Sequence, residues 1–108
     1  MKYRNIKSGK YDSKKEKYRA DLLKLLEKQG EISNLKEQVK FELIPSQYEV
    51  INGKKRCLEK SCSYIADFTY CDVNGNFIVE DTKGFKTKDY IIKRKLMLSV
   101  HGIRIKEV

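Results

Sequence analysis

Residues 63–84, SYIADFTYCDVNGNFIVEDTKG, constrain this chain more than any other stretch. Two runs rich in β-branched and aromatic residues flank Asp72-Val73-Asn74-Gly75 and read as a β-hairpin. Side chains alternate faces along a strand, so a slip of one residue in pairing sends every side chain to the other face. A two-residue type I′ turn at Asn74-Gly75 would pair Val73 with Asn76 and set Asp67 opposite Thr82. Asp67 and Asp81 would then point to opposite sides. A three-residue loop, Val73-Asn74-Gly75, makes Asp72 the first residue of a type I turn and puts Gly75 in the left-handed position of a bulge. Asp is favoured at the first position of such a turn and Gly at the fourth, so the longer loop is the expected one. It sets Asp67 against Asp81. Ile65, Asp67, Thr69, Cys71, Phe77, Val79, Asp81 and Lys83 then share one face. Ala66, Phe68, Tyr70, Ile78, Glu80 and Thr82 share the other.

A length of 108 residues implies one domain with a modest core. No stretch approaches a membrane span and the N-terminus has no apolar signal region, so a cytoplasmic protein without a membrane partner is expected. The net charge is +9, and its placement says more than its size. Residues 1–30 carry +6, residues 31–82 carry −3 and residues 83–108 carry +6. Basic ends flank an acidic middle that holds both strand acids. A polyanion would be drawn to the ends and a cation to the middle. The alternative is that the lysines serve only solubility. Cys57, Cys62 and Cys71 lack paired spacing, so a disulfide framework is not expected and a zinc site with His101 is not favoured. The cysteines are read as reduced packing residues.

Residues 1–11 are polar and basic and read as a flexible arm, followed by a single domain over 12–108. Asp12 and Ser13 open a helix whose apolar positions are Tyr18, Leu22, Leu25 and Leu26, widened by Leu23, and which Gly30 ends. Ser13-Lys14-Lys15-Glu16 matches a capping box. Glu16 therefore has two readings: a cap, or an acid leaning over the sheet toward Asp67 and Asp81. Lys14, Lys15, Lys17 and Arg19 oppose the helix dipole, which points to a use for positive charge there. Val39, Phe41 and Leu43 alternate with polar residues as a half-buried strand ending at Pro45. Asn52-Gly53 suggests an accessory hairpin with Lys54, Lys55 and Arg56 at its tip, either a DNA-contacting wing or an exposed loop. Thr87 caps a second helix, Gly102 ends it, and Ile103 and Ile105 mark a final strand. The expected class is α/β: a mixed sheet flanked by helices, in the order αβββαβ.

Hydrolysis of a phosphodiester needs an activated water and a stabilised leaving oxygen, and carboxylates gathered on Mg²⁺ or Mn²⁺ supply both. Asp67, Asp81 and Lys83 meet that need in the expected register, and Thr82 could add its backbone carbonyl. Glu80 should face away. An Asp-x-Lys pair at an exposed strand end is common and specifies little alone. Asp67 inside Tyr64-Ile65-Ala66-Asp67-Phe68 says more, because an acid in an apolar strand is costly unless paired or ligated.

Glu16, Asp67 and Asp81-x-Lys83, in this order of elements, resemble the PD-(D/E)XK nuclease superfamily. Tyr11-Asp12-Ser13-Lys14-Lys15-Glu16, Gly30-Glu31-Ile32, Phe41-Glu42-Leu43-Ile44-Pro45, Ala66-Asp67-Phe68 and Val79-Glu80-Asp81-Thr82-Lys83-Gly84 are similar to a family of small phage proteins related to Holliday junction resolvases. Ala66 stands where the motif has Pro, and Asp81 is the shorter acid of its allowed pair. The resemblance implies a restriction-endonuclease-like core, Glu16, Asp67 and Asp81 as metal-binding catalytic acids, and Lys83 as the catalytic lysine. It further implies a Mg²⁺-dependent (or Mn²⁺-dependent) endonuclease on branched DNA, active as a homodimer in the host cytoplasm. Lys14, Lys15, Lys17, Arg19, Lys86, Lys93 and Lys95 are the expected DNA contacts. Two other readings stay open: a non-catalytic DNA-binding module with the same fold, and a phage protein-interaction factor.

Overall fold

The computed structural model describes residues 13–108. The expected arm over 1–11, and Asp12 at the start of the first helix, lie outside the described residues. Helix α1 (Lys14–Lys28) begins where Ser13 Oγ accepts a hydrogen bond from the Glu16 N–H at 3.1 Å. It ends at Gly30, whose φ of +80° suits a residue without Cβ. Strands β1 (Ile32–Ile44), β2 (Gln47–Ile51), β3 (Lys54–Glu59), β4 (Cys62–Asp72) and β5 (Phe77–Asp81) follow. Helix α2 (Lys88–His101) and a short β6 (Lys106–Glu107) complete the chain. One sheet has the order β1-β4-β5-β6, and β2-β3 forms a separate two-stranded sheet. β4 and β5 are antiparallel while β5 and β6 are parallel. The chain is thus α/β with a mixed sheet and two helices. Among the described residues no helix is long and apolar enough to cross a membrane.

Two strand boundaries differ from those expected. β1 starts at Ile32 rather than Val39. Asn34 and Gln38 within it have φ of 56° and 54°, so the side-chain alternation that marks a strand is broken there. The last strand pairs only at Lys106 and Glu107, opposite Glu80 and Asp81, and not from Ile103. The Ile103 N–H is taken by the Met97 carbonyl at 3.2 Å, which belongs to the end of α2.

By compactness the chain divides into two units interleaved along the sequence. The described part of the first comprises 13–39, Ala66–Gly84 and Ile105–Val108. Its core is Ala20, Leu23, Ile32, Phe68 and Tyr70, with Leu26, Leu35 and Ile78 against them. The inward face of α1 is therefore not the one its leucines suggest. Tyr18 is 73% exposed and Leu25 is 50% exposed, while Glu16, Ala20 and Leu23 are buried. Polar partners on the sheet side turn the helix this way. Arg19 grips Glu80 with Nε at 2.6 Å and Nη2 at 2.7 Å, and the Tyr70 hydroxyl donates to the same carboxylate. Glu80 is fully buried, so it needs this planar, two-pronged donor.

The second unit comprises Lys40–Ile65 and Phe85–Arg104. Leu43, Tyr64, Tyr90 and Met97 are its buried large side chains. The Tyr64 and Tyr90 rings lie 6.3 Å apart. His101 meets the Phe41 ring edge-on and its Nε2 donates to the Glu42 carbonyl at 2.7 Å. The three cysteines are free thiols, and Cys57 is exposed on β3 rather than packed.

Arg19→Ala leaves a buried carboxylate with only a phenol for company, which costs about 3–5 kcal/mol. Urea unfolding should show that loss, whereas Lys14→Ala stays within about 0.5 kcal/mol of the parent. An Arg19→Ala protein of parental stability removes the clamp from the account. Burial first, and then the hydrogen bond to Glu80, push the Tyr70 hydroxyl above the ordinary tyrosine range. The neutral phenol is the form the fold favours. Its contribution is complete below the unfolded tyrosine value of about 10 and is lost as pH rises through the higher folded value. Alkaline ultraviolet titration should show a late tyrosinate step that Tyr70→Phe abolishes.

Candidate active site

The loop between β4 and β5 is the three-residue form. The Gly75 N–H donates to the Asp72 carbonyl at 3.0 Å, closing the turn, and the Asp72 N–H donates to the Asn76 carbonyl at 2.9 Å. Gly75 has φ of +82°, the left-handed conformation the bulge requires. The Asp72 carboxylate accepts from the Asn76 and Asn74 N–H groups, each at 2.9 Å, and from Asn76 Nδ2 at 3.1 Å. These bonds, the Asn76 N–H first, hold the Asp72 carboxyl below the usual range.

The resulting register sets Phe68 opposite Glu80, Thr69 opposite Val79 and Tyr70 opposite Ile78. Continued by one pair, this register sets Asp67 against Asp81 on one face. Glu80 faces the other way, toward α1, as expected. It is a poor neutral control for chemistry, because the first unit's core depends on it.

The alternation stops at Asp81, where β5 ends. The Asp81 carbonyl accepts from the Val108 N–H at 3.0 Å, and the Lys83 N–H donates to the Val108 carbonyl at 3.2 Å. Thr82 consequently does not turn its side chain to the Glu80 face. Its hydroxyl donates to Asp67 Oδ2 at 2.8 Å and its N–H to the same oxygen at 2.9 Å. Asp67 is thus steadied through one oxygen, Oδ2. Asp81 is 3% exposed, and Lys83 Nζ lies 3.4 Å from its Oδ2. The Lys83 side chain keeps 26% of its surface exposed, so its charge reaches both the acid and solvent.

Glu16 is buried in the first turn of α1, and Gln38 Nε2 donates to its Oε2 at 3.1 Å. Lys15 Nζ donates to the Lys83 carbonyl at 3.3 Å, so the start of α1 adjoins the segment leaving β5. The Ser13 half of the capping box is present, with the Glu16 N–H donating to Ser13 Oγ, while the Glu16 carboxylate accepts from Gln38. Among the described residues, no three His, Cys, Asp or Glu side chains gather closely enough to hold a metal ion. Mg²⁺ commonly needs only one or two carboxylates beside water and substrate phosphate. The Asp67–Asp81 pair fits that smaller donor set.

The cations expected to meet DNA divide. Lys14, Lys15 and Lys17 are exposed on the first turns of α1, with Lys17 bonded to Asp21 at 2.9 Å. Arg19 is committed to Glu80 and is a structural cation here. Lys86 and Lys95 are exposed and Lys93 is half-buried, all in the second unit.

A family profile described as "Protein of unknown function (DUF1064)" matches residues 1–106. The chain belongs to that family. Its description carries no activity, so the geometry above must bear any functional reading of this DUF1064 protein. No curated protein and no solved structure matches the chain.

Two contributors escaped the sequence. Arg19 gave no sign of its partner 61 positions away. Gln38 gave none either, because its role depends on a left-handed backbone that a non-glycine residue rarely adopts. Such conformations concentrate at functional sites. Gln38→Gly should relieve the backbone, and Gln38→Ala should not. Glycine is expected to be the more stable of the two by about 1 kcal/mol in urea titrations. Equal stability would mean the left-handed turn carries no strain.

Proposed function

We propose that this protein is a metal-dependent DNA endonuclease with a restriction-endonuclease-like core of the PD-(D/E)XK type. The observation that carries the reading is the β4–β5 register, which continued by one pair sets Asp67 against Asp81, with Lys83 Nζ 3.4 Å from Asp81. Mg²⁺ or Mn²⁺, when bound, would polarise the scissile phosphate and favour ionisation of the attacking water. The chain's own residues do the rest. Asp67, oriented by Thr82, and the buried Asp81 would hold the ion, and the Thr82 carbonyl could join them. Lys83 holds a phosphate oxygen or the attacking water with a fixed charge. Glu16, held by Gln38, stands outside that pair of ligands, and its part in the chemistry rests on the motif resemblance. The lysines at the start of α1 and in 86–95 contact phosphates. Branched DNA as substrate, a Holliday junction resolvase-like homodimer, and a phage protein working in the host cytoplasm complete the proposal. These last features rest on the motif resemblance.

A non-catalytic DNA-binding module is the second reading. It is favoured by the partners both strand acids already have within the chain, Thr82 for Asp67 and Lys83 for Asp81.

Cleavage of plasmid and four-way-junction DNA separates the two. The parent should cut with Mg²⁺ or Mn²⁺ and not with EDTA. Asp81→Asn and Lys83→Ala should each cut at least about 100-fold more slowly, while exposed Glu31→Gln matches the parent. Mg²⁺ should also raise the melting temperature of the parent and leave Asp81→Asn unchanged. Cutting that persists in EDTA, or survives in Asp81→Asn, sinks the endonuclease reading.

A further inference from the structure

The positive charge is not shared evenly between the two units. Described residues of the first carry nine Lys/Arg against ten Asp/Glu, whereas the second carries eleven against four. The second unit holds none of the four candidate catalytic residues, so its excess charge serves something other than their ionisation. Within it, the β2–β3 hairpin is unusual. Every residue of β3 is exposed, and in β2 only Glu49 is partly covered. A two-stranded ribbon with no buried face gains little from its own packing. Its tip is a tight turn at Asn52-Gly53, both with positive φ, 52° and 75°.

Lys54, Lys55 and Arg56 follow that turn in sequence. In the observed register Lys54 faces Ile51, Lys55 faces Val50 and Arg56 faces Glu49. Lys54 and Arg56 therefore project from one side of the ribbon and Lys55 from the other. None is locked in place. Arg56 has only a surface partner, Glu49 at 3.8 Å, and such pairs are worth little. Lys55 Nζ rests 4.1 Å from the centre of the half-exposed Tyr48 ring.

We propose that the β2–β3 ribbon is a DNA-contacting arm, whose tip cations Lys54, Lys55 and Arg56 hold phosphates on both of its sides. The identity of the partner rests on the DNA reading above, and the arm adds a binding surface apart from the carboxylates. Cations on both sides suit a groove, whose two walls are each lined by phosphate. A flat partner would meet one side only. The size also fits. Strands of this length run roughly 17 Å at about 3.3 Å per residue, and the DNA major groove is about 12 Å wide and 8.5 Å deep.

The test is fluorescence anisotropy with a labelled 30-base-pair duplex and a labelled four-way junction, in EDTA, across a salt series. The variants are Lys54→Ala/Lys55→Ala/Arg56→Ala and the charge-retaining Lys54→Arg/Lys55→Arg. All these positions are exposed, and circular dichroism checks that the fold is kept. The triple variant should lower the slope of log affinity against log salt by up to about 2.7, about 0.9 for each phosphate no longer neutralised. Its affinity in low salt should fall at least about tenfold, while the arginine variant binds like the parent. Parental affinity and slope in the triple variant overturn the arm. So does a change in sedimentation with DNA binding intact, which makes the ribbon an interface between copies of the chain. If the parent binds neither DNA, the nucleic-acid reading falls and the arm with it.

Discussion

The phase of β4 against β5 is the constraint on which both the core and the site depend. One loop sets it. The Asp72 carboxylate gathers the Asn74 and Asn76 amides, and Gly75 takes the left-handed turn that feeds β5 back onto β4. In this phase Glu80 lies on the side of Tyr70 and α1, and Asp67 lies on the side of Asp81. A slip by one residue would break both arrangements at once. Glu80 would lose its phenol and guanidinium, and the two aspartates would part. Local turn chemistry thus decides a long-range outcome.

Glu80 and Asp81 are neighbours in sequence, both nearly inaccessible, and compensated in different ways. Glu80 meets a planar guanidinium through two bonds plus a phenol. That geometry satisfies the carboxylate completely and fixes α1 on the sheet. Asp81 has the Lys83 ammonium 3.4 Å from its Oδ2, on a long stem that is a quarter exposed. An ammonium on a flexible stem is loose enough to yield when another cation or a phosphate arrives. Acids at adjacent positions thus meet different partners on opposite faces. The difference lies in the rigidity and solvation of the partner.

The distribution of charge follows a related division. In the first unit acids and bases nearly balance and many are engaged with each other, as with Lys17 and Asp21 or Lys24 and Glu37. In the second the cations outnumber the acids and stand mostly on exposed ribbon and helix surface. Arg19 shows why position along the chain is a poor guide to such roles. It sits among the cations of the first helix and belongs instead to the buried network.

Much of the fold and part of the site were legible from residues alone. The three-residue loop and the β4–β5 register it sets, both helix starts at Ser13 and Thr87, and the accessory hairpin at Asn52-Gly53 all follow from short-range rules. Left-handed glycines, capping hydroxyls and side chains that bond nearby amides act within a few residues, so the sequence by itself determined them. The inward face of α1, the early start of β1, the bond from Thr82 to Asp67 and the tie between Gln38 and Glu16 were decided by tertiary structure. Each depends on a partner brought close only when the chain closes on itself. A helix with leucines on several faces turns toward whichever buried charge most needs an answer, and Glu80, 61 positions from Arg19, was that charge.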